Sequence, residues 1–290
     1  MKAYDLIIMP GRSPRDAGMQ GWCFGLPPGI EPEQWPLDPC SGYPLCHGFT
    51  LRLPEEYRIH GPEIVGLSFF AVAAEHNDGA PVTTPRLANT ILNPPPQPPA
   101  ERALLPFWTH AMNAHPRLAR MTDILGCAYA MILLTEAELD GPFCDVPEVI
   151  DSPLLRPTPT PGWISMEATS TWTNIYLSAA GRLPSRGDVT ARAEASAVAF
   201  VKKPRLTDPN AGKAVTDPSY EDRLTETFAL KPWLQDLAVN HIGGTMDAVQ
   251  AEPSFGRHYI GFDEFFGGFN FGGGTAQLDF EQMAINWSCG

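Results

Sequence analysis

The C-terminal segment, residues 240–290, limits the fold more than any other part of this chain, because glycine pairs alternate there with strand-like runs. It contains NHIGGTMDAVQ (240–250), HYIGFDEFF (258–266) and FNFGGGTAQLDFEQMAINWSCG (269–290). Glycine lets the backbone adopt positive φ or approach another segment closely, where a side chain would clash. The pattern therefore predicts a compact, β-rich core with tight turns, and it assigns no chemistry by itself.

Composition supports the same interpretation. Glycine and proline, with 26 and 31 residues, form about a fifth of the chain, against a usual share of about 12%. This excess favours many turns and loops over a helical bundle, while a hydrophobic fraction of 43% is sufficient for a core. We expect one α+β domain over residues 1–290, β-rich, with an antiparallel or mixed sheet, a few helices and long Pro/Gly-rich loops.

Local patterns place the elements. Alternating or continuous apolar runs predict strands, at residues 4–9, 48–53, 63–74, 124–135 and within 163–177. Helices are predicted at residues 101–118 and 219–239, and residues 191–200 suit either state. Thr135 and Glu138 resemble a capping box at a helix N-terminus, and Gly141 ends any such helix at once. Loops are predicted near residues 81–100 and 151–161, where prolines cluster, and at residues 207–218.

The charge is biased, with 20 basic and 33 acidic residues giving a net charge of −13. An acidic surface repels phosphate backbones, so we expect no nucleic-acid partner, whereas a basic protein would be attracted. The simpler alternative is that the charge only maintains solubility. The apolar run at residues 6–9 is too short for a secretory signal, and no run approaches a membrane span. We therefore expect a cytoplasmic protein with no membrane partner.

Two parts of the chain resemble a known family. The segments NHIGGTMDAVQ, YIGFDEF, NFGGGTAQLDF and INWSC near the C-terminus, with GLPPG (25–29) and QWPLDPCSGYPLCHGFTLRL (34–53), resemble the YwqG-like family of bacterial proteins. The chain departs from the family pattern in reading CHGFTLRL where a glutamine is usual, and in its three-glycine last turn. The resemblance implies an α+β fold without an established enzymatic activity. Some members lie beside secreted polymorphic toxins, which implies a cognate immunity role.

Four carboxylates flank the glycine turns and are candidates for contacts with a partner. They are Asp263, Glu264, Asp279 and Glu281. Paired carboxylates can also serve acid–base chemistry, and the simplest interpretation is a solvated face. In a toxin-binding protein, they would meet a basic active site. Trp22 lies in an irregular, Gly/Pro-rich segment and is the aromatic candidate for an exposed anchor of the interface.

No catalytic or cofactor motif stands out. Cys40, Cys46 and His47, with Cys23, could hold zinc, but the C-x5-C-H spacing lacks the tight knuckle of structural zinc sites. The six cysteines form no C-x-x-C pair and are typical of reduced core residues. The run GGFNFGGG (267–274) lacks the Lys-Ser/Thr of a phosphate loop, so a turn is expected there.

These observations favour a protein-binding function, most concretely a cytoplasmic immunity protein that neutralises a secreted bacterial toxin by direct binding, without a cofactor. Two alternatives stay open. One is a hydrolase with an unrecognised active site near the glycine turns. The other is a metal-binding or small-molecule-binding protein that uses the segment from Cys40 to His47.

Overall fold

The fold is built on a single antiparallel β-sheet. The structure, a computed structural model, describes residues 1–77, 84–155, 158–165, 196–227 and 229–290. Within these residues the strands are β1 (Tyr4–Ile8), β2 (Gly21–Cys23), β3 (Cys46–Arg52), β4 (Ile64–Ala71), β5 (Leu118–Thr122), β6 (Ala128–Thr135), β7 (Val198–Pro204), β8 (His241–Ile242), β9 (Tyr259–Asp263), β10 (Thr275–Asp279) and β11 (Ala284–Ser288). The expectation of a β-rich α+β fold is confirmed.

Helices are short and few in this part of the chain. The α-helices are α1 (Pro85–Leu92), α2 (Leu105–Met112), α3 (Glu136–Leu139) and α4 (Gly162–Ser165). Single 3-10 turns lie at Pro32–Gln34, Glu55–Tyr57, Ala74–His76, Arg102–Leu104, Pro153–Leu155 and Pro232–Asp236. The predicted capping box is confirmed, because the Thr135 hydroxyl accepts from the Glu138 amide while the Glu138 carboxylate accepts from the Thr135 amide.

The strand order is β11-β10-β9-β8-β1-β7-β2-β3-β4-β6-β5 among the described strands. β1 and β7 form the centre. On one side the sheet continues through β8, β9, β10 and β11, and on the other side through β2, β3, β4 and β6, with β5 at the edge beyond β6. The sheet curves until its edge strands β5 and β11 come into contact, so that it is nearly closed. At this junction Trp287 donates its indole N–H to Asp123 at 2.6 Å.

Aromatic rings fill the inside of the curved sheet. Phe49 on β3 lies 5.3 Å, between ring centroids, from Phe262 on β9, although five strand-to-strand steps separate these strands in the sheet. Phe69 contacts both rings and also Tyr129 and Phe269. These side chains are at most 3% exposed. The core is therefore packed across the sheet, and burial of these rings is its main source of stability.

Several sequence predictions are wrong or partial. The loop predicted near residues 81–100 contains α1, because Leu87 and Ile91 share one helix face and pack in a second apolar cluster. The helix predicted at residues 101–118 is reduced to α2, and β5 was not foreseen. The strand predicted at residues 124–135 begins only at Ala128, since Ile124 is 92% exposed in a turn.

Among the described residues of 219–239, the predicted helix does not form. In its place lies irregular chain with one 3-10 turn, and Leu224 and Leu230 form an isolated antiparallel bridge. The Thr225 hydroxyl accepts from the Ala229 amide, and such local hydroxyl bonds compete with helical ones. Of the strands predicted within 163–177, residues 163–165 lie in α4 and the rest lie outside the described residues. The ambiguous residues 191–200 end in β7, from Val198 onward.

Candidate functional site

Trp22, the predicted aromatic anchor, is buried. Its side chain is 3% exposed, donates its indole N–H to the Leu26 carbonyl at 3.1 Å, and packs edge-on against Phe143. The prediction of an exposed interface residue is therefore wrong. The Gly/Pro-rich segment around Trp22 is irregular in sequence, but β2 carries the residue into the sheet between β3 and β7.

Two of the four predicted carboxylates hold turns together. Asp279 is fully buried and accepts hydrogen bonds from the amides of Gly256, Glu281 and Gln282 at 2.9 Å each. Glu264 is 9% exposed, and its carboxylate accepts from the amides of Phe271 and Gly273. Tight turns leave amides that need an acceptor. Burial removes both residues from any partner-binding surface and corrects the prediction for them.

The other two carboxylates reach the surface but lie apart. Asp263 pairs with Thr275 and Asp279 pairs with Tyr259, so the two aspartates mark opposite ends of the β9–β10 ladder. Glu281, beside Asp279, is exposed and accepts from His258 Nδ1 at 2.7 Å. The structure therefore does not bring the predicted acidic residues into one face, and a partner role for Asp263 and Glu281 stays a prediction.

Asp263 lines a narrow crevice with the buried Cys23 thiol and Asn240. Burial raises the pKa of Asp263, and the neighbouring Glu264 adds to this, while the amides of Phe265 and Phe266 donate to its carboxylate and oppose the shift. The crevice volume is about 20 Å³, which is enough for one water-sized group. This space is too small for an organic substrate, so it gives the hydrolase alternative no support.

The candidate zinc residues are used by the protein itself. Both ring nitrogens of His47 have partners: Nδ1 lies 3.1 Å from the Phe24 carbonyl oxygen, and Nε2 lies 2.9 Å from Thr50 Oγ1. Burial raises the pKa of the Cys40 thiol to about 11, which disfavours the thiolate that binds metals. Within the described ranges, no three His, Cys, Asp or Glu residues are grouped to hold a metal ion.

The buried, neutral state of His47 makes stability depend on pH. Burial lowers the pKa of His47 from 6.5 to about 4. Below pH 6.5 the unfolded chain therefore binds a proton that the folded protein binds only near pH 4. We expect this residue to lower the free energy of unfolding by about 2 kcal/mol between pH 7 and pH 5.

Urea denaturation of the wild type and of His47→Gln at pH 7, 6 and 5 measures this effect. The variant retains hydrogen-bonding capacity but does not titrate, so its stability should fall less steeply with acid. His60→Gln is the matched control, because that imidazole is partly exposed. Equal pH dependence in His47→Gln and the wild type would contradict the assignment.

The run at 267–274 forms turns, as expected. Gly268, Gly272 and Gly273 have φ of 78°, 60° and 79°, in the left-handed region that favours glycine. The next element is β10, a strand, so no helix N-terminus follows the glycines. A phosphate-binding loop of the kind that precedes a helix is therefore not formed here.

The structure contains an open groove that the sequence did not reveal. It has a volume of about 730 Å³ and is lined by residues 222–226, Lys231, Gln250 and Glu252. Residues 223–225 lie antiparallel to residues 229–231, with hydrogen bonds from the Lys231 amide to the Arg223 carbonyl and from the Thr225 amide to the Ala229 carbonyl. This folded-back segment forms one wall. We refer to the cavity as the acidic groove.

At the acidic groove, the two cations form ion pairs, whereas the lining carboxylates do not. Arg223 forms an ion pair with Asp247, and Lys231 lies 3.6 Å from Glu221. The two cations are thus each engaged by a carboxylate beside the groove. The three carboxylates that line it have no ion-pair partner among the described residues; they are Asp222, Glu226 and Glu252. The groove therefore presents net negative charge to solvent.

Glu252 is the one of these three carboxylates that is partly buried. Burial raises its pKa; Arg223 opposes this, while Asp222 and Asp247 add to it. A carboxylate held among like charges gains from an approaching cation. The sequence signal was present in the acidic run SYEDRLTE (219–226), but we interpreted that segment as a helix, and Glu252 lies too far along the chain to be associated with it.

The comparisons with known proteins add no relative. Family models, curated proteins and solved structures were searched, and none matches this chain. Across the described residues, no helix is long and apolar enough to cross a membrane.

Proposed function

We propose that this protein binds a basic protein partner through the acidic groove, most concretely as a cytoplasmic immunity protein that neutralises a secreted bacterial toxin. The observation that carries the proposal is the open groove of about 730 Å³ whose three lining carboxylates lack cationic partners among the described residues. The overall charge of −13 acts in the same direction, because it would speed the encounter with a basic surface.

Membership of the YwqG-like family belongs to the same proposal. It rests on the glycine turns and the Trp-Pro segment described above, and the immunity role follows from that resemblance. The groove supports the binding part independently of the resemblance, since its charge and openness come from the residues themselves. One wall of the groove is the folded-back segment, in which Leu224 and Leu230 form a backbone bridge and Leu230 is 62% exposed. Together with the unpaired carboxylates, this wall suits a protein surface better than a small ligand.

The test is a quantitative pull-down from the native cells with three forms of the tagged protein. The first is the wild type. The second carries Asp222→Asn, Glu226→Gln and Glu252→Gln in the groove. The third is a control of equal charge that carries Glu33→Gln, Glu63→Gln and Glu148→Gln, three exposed carboxylates outside the groove.

We expect the wild type and the control to recover the same basic partner. We expect the groove variant to bind this partner more weakly, by about tenfold or more. Each exposed charge contact contributes up to about 1 kcal/mol, and about 1.4 kcal/mol corresponds to tenfold in Kd. Titration calorimetry with the identified partner gives the Kd. Equal binding by both variants would exclude the groove as the contact surface, and recovery of no partner at low salt would exclude a basic partner altogether.

A further inference from the structure

A buried row of polar residues crosses the outer side of the C-terminal half of the sheet. In the strand register, His241 on β8 and Gln277 on β10 both pair with Gly261 on β9. Residues directly opposite each other in antiparallel strands share one face of the sheet. Because Gly261 has no side chain, the His241 ring occupies the space above it, on the face of the sheet that also carries Gln277.

The position over Gly261 is reached by the imidazole itself. A Cβ atom built on Gly261 would lie 2.4 Å from His241 Nε2, so the ring leans over the glycine towards β10. His241 is fully buried and Gln277 is 1% exposed. His241 Nε2 and Gln277 Oε1 are both buried, and neither has a hydrogen-bond partner in the described protein. Buried polar atoms almost always have a partner, because an unsatisfied group costs about 1–3 kcal/mol.

Both orphan atoms are acceptors. His241 Nδ1 lies 2.8 Å from the Gly243 carbonyl oxygen, so this nitrogen carries the proton and Nε2 offers a lone pair. Gln277 Nε2 donates to Thr275 Oγ1, whose hydroxyl donates to the Asp247 carbonyl at 2.7 Å. This chain fixes the orientation of the Gln277 amide and leaves Oε1 to face away from Thr275. Two acceptors require a group that donates twice.

The charge of the surroundings selects a neutral ligand. Arg205 is buried nearby, and its positive charge, after burial, lowers the pKa of His241 well below 6.5. Asp5, which pairs with His241 in the register, is already bound to the Arg205 guanidinium at 2.6 Å. A second cation would meet Arg205, and an anion would meet two acceptors. A water molecule satisfies both conditions because it is neutral and donates two hydrogen bonds.

We propose that one ordered water molecule lies between the side chains of His241 and Gln277 and donates to His241 Nε2 and Gln277 Oε1. The water completes a hydrogen-bonded line from His241 through Gln277 and Thr275 to Asp247, which pairs with Arg223 at the acidic groove. The proposal does not depend on what the groove binds.

Two measurements on the wild-type protein test the site. A high-resolution crystal structure is expected to show a water within hydrogen-bond distance of both atoms. Nitrogen-15 NMR is expected to show His241 as the Nδ1–H tautomer, with cross-relaxation between a long-lived water and its ring protons. A dry position, or an Nε2–H tautomer that donates directly to Gln277, would overturn the proposal.

Variants separate this water from other hydration. Gln277→Met keeps a similar volume but removes the acceptor, so the cross-relaxation signal and the water density should be lost. Gln282→Met is the matched control, because Gln282 is an exposed glutamine that follows the same strand, and it should change neither. If Gln277→Met folds and retains the signal, the bridging role is refuted; if it does not fold, the wild-type tautomer and density decide.

Discussion

Arg205→Met should lower the free energy of unfolding by about 3–5 kcal/mol, among the largest effects of any single substitution in this protein. The guanidinium is 1% exposed and donates to Asp5 at 2.6 Å and to Asp208 at 3.3 Å. It also donates to the backbone carbonyls of Ala238 and Thr245. Without it, two buried carboxylates lose their cation in a medium of low polarity, and this loss is the reason for the large cost.

The measurement is urea denaturation at pH 7, with circular dichroism as the probe. Arg12→Met is the matched control, because Arg12 forms a similarly short ion pair with Asp16 that is 45% and 39% exposed. Solvent screens that exposed pair, so its loss should change stability far less than the loss of Arg205. A similar loss in both variants would show that the buried network does not hold β1 to the segment after β7 as the structure indicates.

Phe69→Ala should lower the free energy of unfolding by about 3–5 kcal/mol, since it opens a cavity where both halves of the sheet meet. The ring is fully buried on β4 and lies 5.2–5.9 Å, between centroids, from Phe49, Tyr129, Phe262 and Phe269. Phe49, Tyr129 and Phe262 lie on three different strands and Phe269 lies between β9 and β10, so we expect the cavity to collapse only in part.

A graded series isolates the cavity effect. Phe69→Leu keeps much of the volume and should cost about 1–2 kcal/mol, between the wild type and Phe69→Ala. Ile124→Ala removes apolar atoms from a side chain that is 92% exposed and should change stability by less than about 0.5 kcal/mol. Chemical denaturation provides the comparison, and a Phe69→Ala cost near that of Ile124→Ala would contradict the packed interior.

Sequence reasoning was most successful where the signal is local. β1, β3 and β4 were predicted within a few residues, and so was the turn built by Gly268, Gly272 and Gly273. It failed where a residue's environment is made by distant chain. Trp22 was expected to be exposed and is buried, because β3 and β7 enclose it, and β7 lies about 175 residues away. The exposure of a side chain cannot be read from its own segment.

The acidic groove shows the same limit. Its walls come from residues 222–226, Lys231, Gln250 and Glu252, and its free carboxylates result from the pairing of Arg223 with Asp247 and of Lys231 with Glu221. The acidic run is visible in the sequence, but the segment that contains it was predicted to be a helix. Only the folded chain separates carboxylates that pair with cations from those that do not.

The sequence by itself determined the β-rich class, the turn positions and the capping of α3, because these depend on preferences of φ and on contacts a few residues apart. The tertiary structure alone decided the strand order. In that order β1 lies between β7 and β8, although about 200 residues separate β1 from these two strands along the chain. It also decided that Asp279 and Glu264 hold turns, and that Asp222, Glu226 and Glu252 line the acidic groove. Pairings of this kind minimise the free energy of the whole chain, and no local segment contains them.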